Sequence, residues 1–471
     1  MAAEEQPRTL LEQLIRQDRR SYEELAEEFD VRAYKAGIPA TMSAKHLRRL
    51  ARRQRPHSSC RAGTRKVLES MFGRDFEDLF GPPDEMESGL LRVDLTSSRT
   101  ASVAESAKTL TKLTKLNLER PTEATKLQVV PAVWSDLAVG WLVDPEGGEE
   151  PTPANSGEIT TADVEVVRTA TKMFAELDYQ YGGGRARMLV AQCLASDALP
   201  RLQHASPTTE LGRNYFSEVA ALTRLAAWSA YDSGQHGLAQ SYFALALRFA
   251  RAAGDRALGG RILAGMSHQA NYLGQYQRAV DLARAAHQGA RGHATPTAMA
   301  MFHAMEARGL ASLGREAECT NALLTAEAWL ARSNPQEDPE WIHYFDAAEL
   351  AAEHAHCFRD LGRPELSVEH AEMSLANAGD VYVRSKGFVT TVVATSHLQR
   401  GDVEHALAVA QDVVEAASQL QSRRILSYLQ EFRQQLLPHR KDPRVQQFED
   451  YLRSHVRDLE GPPISNGFSV A

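Results

Sequence analysis

The chain has 471 residues, 43% of them apolar and 24% charged, with a formal charge of −8. That length excludes one compact core and predicts several folding units or one extendable array. No window approaches the roughly 18 to 20 unbroken apolar residues of a membrane span, and the acidic start at Glu4 and Glu5 lacks a basic-then-apolar export pattern, so a cytoplasmic protein without membrane contact is expected. Cys60, Cys193, Cys319 and Cys357 are scattered singly, which suits packing in a reducing compartment better than a disulfide framework.

Residues 9–81 read as a chain of short helices. The first opens at Thr9 with Glu12 three residues on, and the second opens at Ser21 with Glu24, both in capping-box form. Gly37-Ile38-Pro39 is incompatible with the second continuing. A third helix spans 43–53, where Leu47, Leu50 and Ala51 form one apolar stripe and Lys45, Arg48, Arg49, Arg52 and Arg53 fan around the remainder. Two further helices, 64–72 and 75–80, close the unit before Gly81-Pro82-Pro83.

Charge singles this segment out. Between Val31 and Leu68 stand 11 Lys/Arg and no Asp or Glu, leaving −19 for the rest of the chain. Such a segment inside an acidic protein tolerates its self-repulsion where phosphates neutralise it, so double-stranded DNA is the expected partner; the bland alternative is a solvated basic face. In a recognition-helix geometry the preceding helix crosses the backbone, Ser43 meets a phosphate or base edge, Lys45, His46 and Arg49 reach bases, Arg52, Arg53 and Arg55 mainly hold phosphates, and Arg48 belongs to the same DNA-binding surface. The exposed aromatics of single-strand binders are missing from it.

Residues 82–160 turn Ser/Thr-rich and acidic, and read as linker; Leu110, Leu113 and Leu116, then Trp134, Leu137 and Trp141, fall at helical spacing and predict a docked helix or two. From 161 to 460 the pattern repeats. Glycines 234, 274, 314, 362 and 401 each end a helical run, at intervals of 40, 40, 48 and 39. Five residues after them stand Ala239, Ala279, Cys319, Ser367 and Ala406; seven before stand Ala227, Ser267, Ala307, Ala355 and Ala394. Small residues on both partners let two helices cross closely, and the turn between them needs glycine's freedom. This is tetratricopeptide logic with extended repeats. An additional pair, 161–179 and 185–202, surrounds Gly182-Gly183-Gly184, and a terminal pair, 422–437 and 444–459, is expected to cap the array with a polar outer face before a flexible tail at 461–471.

In that geometry the concave face collects Arg224, Trp228, Tyr231, Asp232, Arg261, His268, Asn271, Tyr272, Met301, Arg308, Glu349, His356, Arg359 and Asp360. Its arginines and Asn271 suit carboxylates or an extended peptide backbone, with Trp228 and Tyr272 adding apolar contact, so a peptide, small-molecule or protein effector is expected there; inter-repeat salt bridges are the bland reading. Glu353-His354-Ala355-His356-Cys357 offers metal-ligand residue types, but on a helix His354 and His356 point about 200° apart, so no metal site is assigned. Gly182-Gly183-Gly184 lacks the preceding strand and the Lys-Ser/Thr of a phosphate cradle and reads as a turn. No nucleophile-and-base constellation stands out, so neither catalysis nor a cofactor is expected.

The Ser21-Tyr22-Glu23-Glu24-Leu25-Ala26 element, the 43–53 helix, Val67-Leu68-Glu69-Ser70-Met71-Phe72-Gly73 and Leu79-Phe80-Gly81-Pro82 resemble the Cro/repressor-type helix-turn-helix of actinobacterial regulators. Leu225-Ala226-Ala227-Trp228, Gly254-Asp255-Arg256-Ala257-Leu258-Gly259 and Ala355-His356-Cys357-Phe358-Arg359-Asp360-Leu361-Gly362, with the 168–187 stretch, are similar to the NsdA-like group. The likeness is weakest between 84 and 160. Leu50 stands where such domains commonly carry an aromatic, and the segment after Ala26 is longer than usual. The resemblance implies an all-α protein, a helix-turn-helix domain followed by a tetratricopeptide-like α-solenoid. It further implies a homodimeric, nucleoid-associated repressor of sporulation and antibiotic biosynthesis. The alternative is a tetratricopeptide scaffold with a vestigial helix-turn-helix and no DNA binding.

Overall fold

The computed structural model describes residues 8–18, 21–52, 62–72, 76–81, 102–143, 159–379 and 381–456, all helical or connecting, without a strand among them. Two compact units divide the chain, Met1–Arg92 and Val93–Ala471.

The first unit packs α1 (Leu10–Asp18), α2 (Tyr22–Lys35), α3 (Ala44–Ala51) and α4 (Ala62–Phe72) around Leu11, Leu25, Phe29, Leu47, Leu68, Leu79 and Phe80. Ser21 and Glu24 form a complete capping box on α2, and Thr9 accepts the Glu12 N–H at 3.1 Å on α1. Gly37, at φ 64°, turns the chain after α2. The helix expected at 75–80 is a single 3₁₀ turn, Asp78–Phe80, too short to continue because Gly81 and two prolines follow.

In the second unit five helix pairs follow the glycine phase. They are α9 (Glu210–Asp232) with α10 (His236–Ala253), α11 (Arg256–Tyr272) with α12 (Tyr276–Gly289), α13 (Pro296–Ser312) with α14 (Glu316–Leu330), α15 (Ala347–Asp360) with α16 (Pro364–Asn377), and α17 (Val383–Gln399) with α18 (Val403–Gln419). All five turn glycines have φ between 67° and 79°, the left-handed region. All ten flanking small residues are at most 1% exposed. Where a hydroxyl replaces alanine it bridges the pair: Ser267 donates to the Ala279 carbonyl and Ser367 to the Ala355 carbonyl, both at 2.8 Å. A Cβ on Gly314 would meet nothing within 4 Å, so Gly314→Ala is expected to cost about 1 kcal/mol in urea unfolding, purely for its φ of 70°. Cys319 and Cys357 are buried in one apolar cluster, whereas Cys60 lies outside the described residues.

The 82–160 segment is not linker throughout. Helices α5 (Val103–Glu119) and α6 (Pro131–Val143) form an extra layer on the repeats. Leu110, Leu113, Trp134, Leu137 and Trp141 are all buried. Trp141 lies where Cβ atoms on Gly259 and Gly289 would come within 2.0 and 2.2 Å of its ring, so the docking needs two glycines from consecutive helices. Arg251 donates to the Gly140 carbonyl at 2.7 Å, and Gln240 pairs with the Val130 backbone in both directions.

At the two ends, α7 (Thr161–Tyr181) and α8 (Gly183–Cys193) form the expected first pair, and α19 (Arg423–Gln435) and α20 (Pro443–His455) the last. On the last pair, α20 leaves Arg444, Gln446, Gln447, Asp450 and Arg453 exposed, while α19 turns inward and buries Arg424, Ile425, Ser427, Tyr428, Leu429 and Phe432. The seam joins ends about 240 residues apart in sequence: Gly184 donates to the Gln421 carbonyl and Gln421 to the Tyr181 carbonyl, both at 2.9 Å. A Cβ at Gly182, Gly183 or Gly184 would come within 2.9 Å of backbone at Gln421 or Ser229, so the triple glycine is a seam as well as a turn. The array closes on itself.

Candidate functional site

On α3 of the first unit, Leu47, Leu50 and Ala51 are buried while Ser43, Lys45, His46, Arg48, Arg49 and Arg52 are exposed. Ser43 caps the helix, its Oγ accepting the His46 N–H at 3.2 Å, so the oxygen expected at a phosphate or base edge already serves the fold. Arg48 lies over the Tyr22 ring at 4.8 Å and Arg52 approaches the buried Glu12 at 3.8 Å. Lys45 and Arg49 have no carboxylate partner among the described residues. Arg53 and Arg55 lie outside the described residues.

In the second unit the first helix of every pair contributes to a central cavity of about 110 Å³, from Asp178 and Tyr179 on α7 to Arg424 and Tyr428 on α19. Of the concave residues read from sequence, Arg224, Trp228, Arg261, His268, Arg308 and His356 line it, with Met301 and Glu349. Tyr231, Asn271, Tyr272 and Arg359 do not. Helix α19 fills the groove at three of these: Arg424 stacks on Tyr231 at 4.7 Å, Ser427 accepts from the Tyr272 hydroxyl at 2.7 Å, and Tyr428 underlies Arg359 at 5.6 Å. The groove expected to hold an extended effector is therefore partly occupied by the chain itself.

Five arginines line the cavity. Arg308 pairs with Glu353 at 3.0 Å, Arg384 with Asp178 at 2.7 Å, and Arg424 with Asp232 at 2.8 Å. Asp232 is fully buried and also accepts from Ser422 at 2.9 Å and from the Gly183 N–H at 2.8 Å. Burial alone would raise its carboxyl; Arg384 and Arg424 outweigh that and hold it below the usual range.

Arg224 and Arg261 differ from the other three. Among the described residues neither has a carboxylate partner; Arg224 rests on Trp228 at 5.0 Å and Arg261 on Trp341 at 4.8 Å. Arg261 is 7% exposed, and its Nε is buried without a hydrogen-bond acceptor, as is that of Arg224. Burial, and then the charge of Arg224, push Arg261 down to about 9. A guanidinium relieves that penalty by meeting an anion more readily than by losing its proton. Burial, then Glu353 and Asp346, push the Glu349 carboxyl of the same cavity up to about 8. Burial also holds His268 and His356 well below their usual range, so both are neutral.

Outside the inner cavity lies a cleft of about 830 Å³ that shares Ala175, Tyr179, Arg224, Leu225, Arg261 and Tyr382 with it. The two arginines thus stand at the threshold between the two spaces. Comparison with protein-family models, with curated proteins and with solved structures finds no match to this chain.

Glu353, Arg384 and Arg424, together with Tyr179, Tyr344 and Tyr428, complete the cavity without having been singled out from sequence as its lining. Arg384 carries a signal that would have found it: it stands 17 residues before Gly401, one turn behind the −13 position of the concave stripe. Arg424 carries none, because nothing local says that α19 turns inward. His354 pairs with Glu327 at 3.1 Å while His356 faces the cavity, as the helical period requires. A different trio, His287, His303 and Glu306, brings ligand atoms within 4.8 Å of one another. Arg284 already donates to Glu306 at 2.7 Å and supplies there the positive charge a metal would bring.

Proposed function

We propose that this protein is a DNA-binding transcriptional regulator whose first unit binds double-stranded DNA through α3 and whose closed helical array senses a small effector. The observation that carries the DNA reading is the polarity of α3, apolar residues buried and Lys45, Arg48, Arg49 and Arg52 exposed, within a stretch that has no acidic residue. The resemblance to helix-turn-helix regulators of the NsdA-like group supports the finer reading: a homodimer, and repression of development and antibiotic production. In such a dimer, an effector that favours one arrangement of the array alters the spacing of two DNA-binding units. Partial filling of the concave groove by α19 favours a small ligand over an extended peptide.

Retention of genomic DNA fragments by the full chain, followed against salt concentration, tests this. Each neutralised phosphate contributes about 0.9 to the slope of log affinity against log salt, so removing four cations in K45A/R48A/R49A/R52A is expected to flatten that slope by up to about 3.6 and to weaken low-salt retention about a hundredfold or more. These four side chains are exposed, so helicity by circular dichroism should be unchanged. An unchanged slope, or no retention by the native chain, removes the DNA reading and leaves a protein-binding scaffold.

A further inference from the structure

Buried Arg261 and half-buried Arg224, two cations at a chamber threshold, need an explanation that folding does not supply. Arg308, Arg384 and Arg424 show how this array handles a buried guanidinium: each has a carboxylate within 3.0 Å. Arg224 and Arg261, on neighbouring first helices, have none among the described residues, only an aromatic ring each. Their Nε atoms are buried without an acceptor, as is that of Arg308, but unlike Arg308 neither gains a carboxylate. A folded chain keeps such an arrangement at a cost in stability unless something outside the chain completes it.

We propose that the threshold is a binding site for a small aromatic monocarboxylate, its carboxylate held between Arg224 and Arg261 and its apolar body lying in the outer cleft. This deepens the sensing half of the function proposed above by naming the ligand class.

Size, lining and rim charge select that class. The inner cavity, about 110 Å³, is smaller than the roughly 150 Å³ that accepts a benzene ring, so it takes water or a carboxylate head and no more. The outer cleft, about 830 Å³, falls within the range of small-molecule sites and is lined by Leu225, Leu258, Trp341 and Tyr382. Trp341 and Tyr382 offer flat ring faces to a ligand there, and Leu225 and Leu258 aliphatic contact. The cleft lining sets Glu176, Glu218, Asp255 and Glu340 against Arg168, Lys172, Arg224 and Arg261, and Arg168 and Lys172 already pair with Glu218 and Glu340. That leaves Arg224 and Arg261 for a ligand beside the carboxylates Glu176 and Asp255, a balance that suits a monoanion better than nucleotides, phosphorylated sugars or acidic peptides.

The test uses the full-length protein with 2-naphthoate, its neutral counterpart 2-naphthamide, citrate and inorganic phosphate. Calorimetric titration and quenching of tryptophan fluorescence report binding, and the melting temperature reports stability. The expected result is saturable binding of 2-naphthoate with a raised melting temperature, and no such response to the amide, citrate or phosphate. Arg261→Met and Arg224→Met should each weaken 2-naphthoate about ten- to a hundredfold, the range of a charge-assisted hydrogen bond. Without ligand, Arg261→Met should melt at the native temperature or above it, since it removes an uncompensated buried charge; a lower melting point means that Arg261 is structural and overturns the proposal. It is equally overturned if the amide or phosphate binds as well as the naphthoate, if no carboxylate response is seen, or if both variants keep native affinity. DNA retention is a separate readout: its failure with naphthoate binding intact removes the DNA reading alone, and the converse removes only the ligand.

Discussion

Replacing Asp232 with alanine is expected to destabilise the second unit by about 3 to 5 kcal/mol, the loss that follows when one member of a buried charge cluster is removed and its partners stay behind. Asp232 is fully buried and holds Arg424, Arg384, Ser422 and the Gly183 N–H, groups from three separate stretches of the chain. Its removal leaves the buried Arg424 guanidinium without its carboxylate, leaves Arg384 with Asp178 alone, and unpins both sides of the seam. Urea unfolding at pH 7 measures the loss, and hydrogen exchange should show residues 181–184 and 421–424 opening before the central repeats. A loss below about 1 kcal/mol would mean that closure adds nothing to the array. The acid limb gives an independent sign. Because the folded carboxyl of Asp232 is held below its unfolded value of about 4, its contribution is complete above that pH and disappears as pH falls through the lower folded value. Asp232→Asn should therefore flatten the acid-induced fall in stability.

The second large effect concerns Trp141. The ring is 3% exposed, and Trp141→Ala is expected to cost about 3 to 5 kcal/mol, as for other large-to-small changes of a buried aromatic. Gly259→Ala should also destabilise, because its Cβ would stand 2.0 Å from the Trp141 ring and either the ring or α6 must move. In the double variant the alanine enters space that the ring has vacated, so the combined loss should be smaller than the sum of the two single losses by about 1 kcal/mol or more. Denaturant midpoints of the four proteins settle this, and strict additivity would mean that the layer formed by α5 and α6 does not bear on the repeats.

Much of this architecture was legible because its determinants are local. The five turn glycines and ten small residues recur at fixed offsets, since each pair must solve the same crossing problem with the same side-chain sizes. The same periodicity placed Arg224, Trp228, Arg261, His268, Arg308 and His356 on one face, and all six line the cavity. The capping box on α2, the Thr9 cap on α1 and the apolar stripe Leu47, Leu50 and Ala51 were equally readable, because capping and amphipathicity act within a few residues.

Other features depend on pairings that no local pattern encodes. Trp134, Leu137 and Trp141 announced a helix, yet only the glycines of α11 and α12, more than 100 residues later, decide where it docks. The triple glycine announced a turn, and its second role appears only when Gln421 comes against it. The sequence by itself determined the helices, their pairing and the residues of the inner stripe, through side-chain size and period. Tertiary structure alone decided that the last pair turns inward, that Asp232 joins both ends of the array, and that Arg308, Arg384 and Arg424 receive carboxylates while Arg224 and Arg261 do not. The physical reason is that a buried charge is set by whichever groups reach it in space, and here several of those groups lie more than 150 residues away.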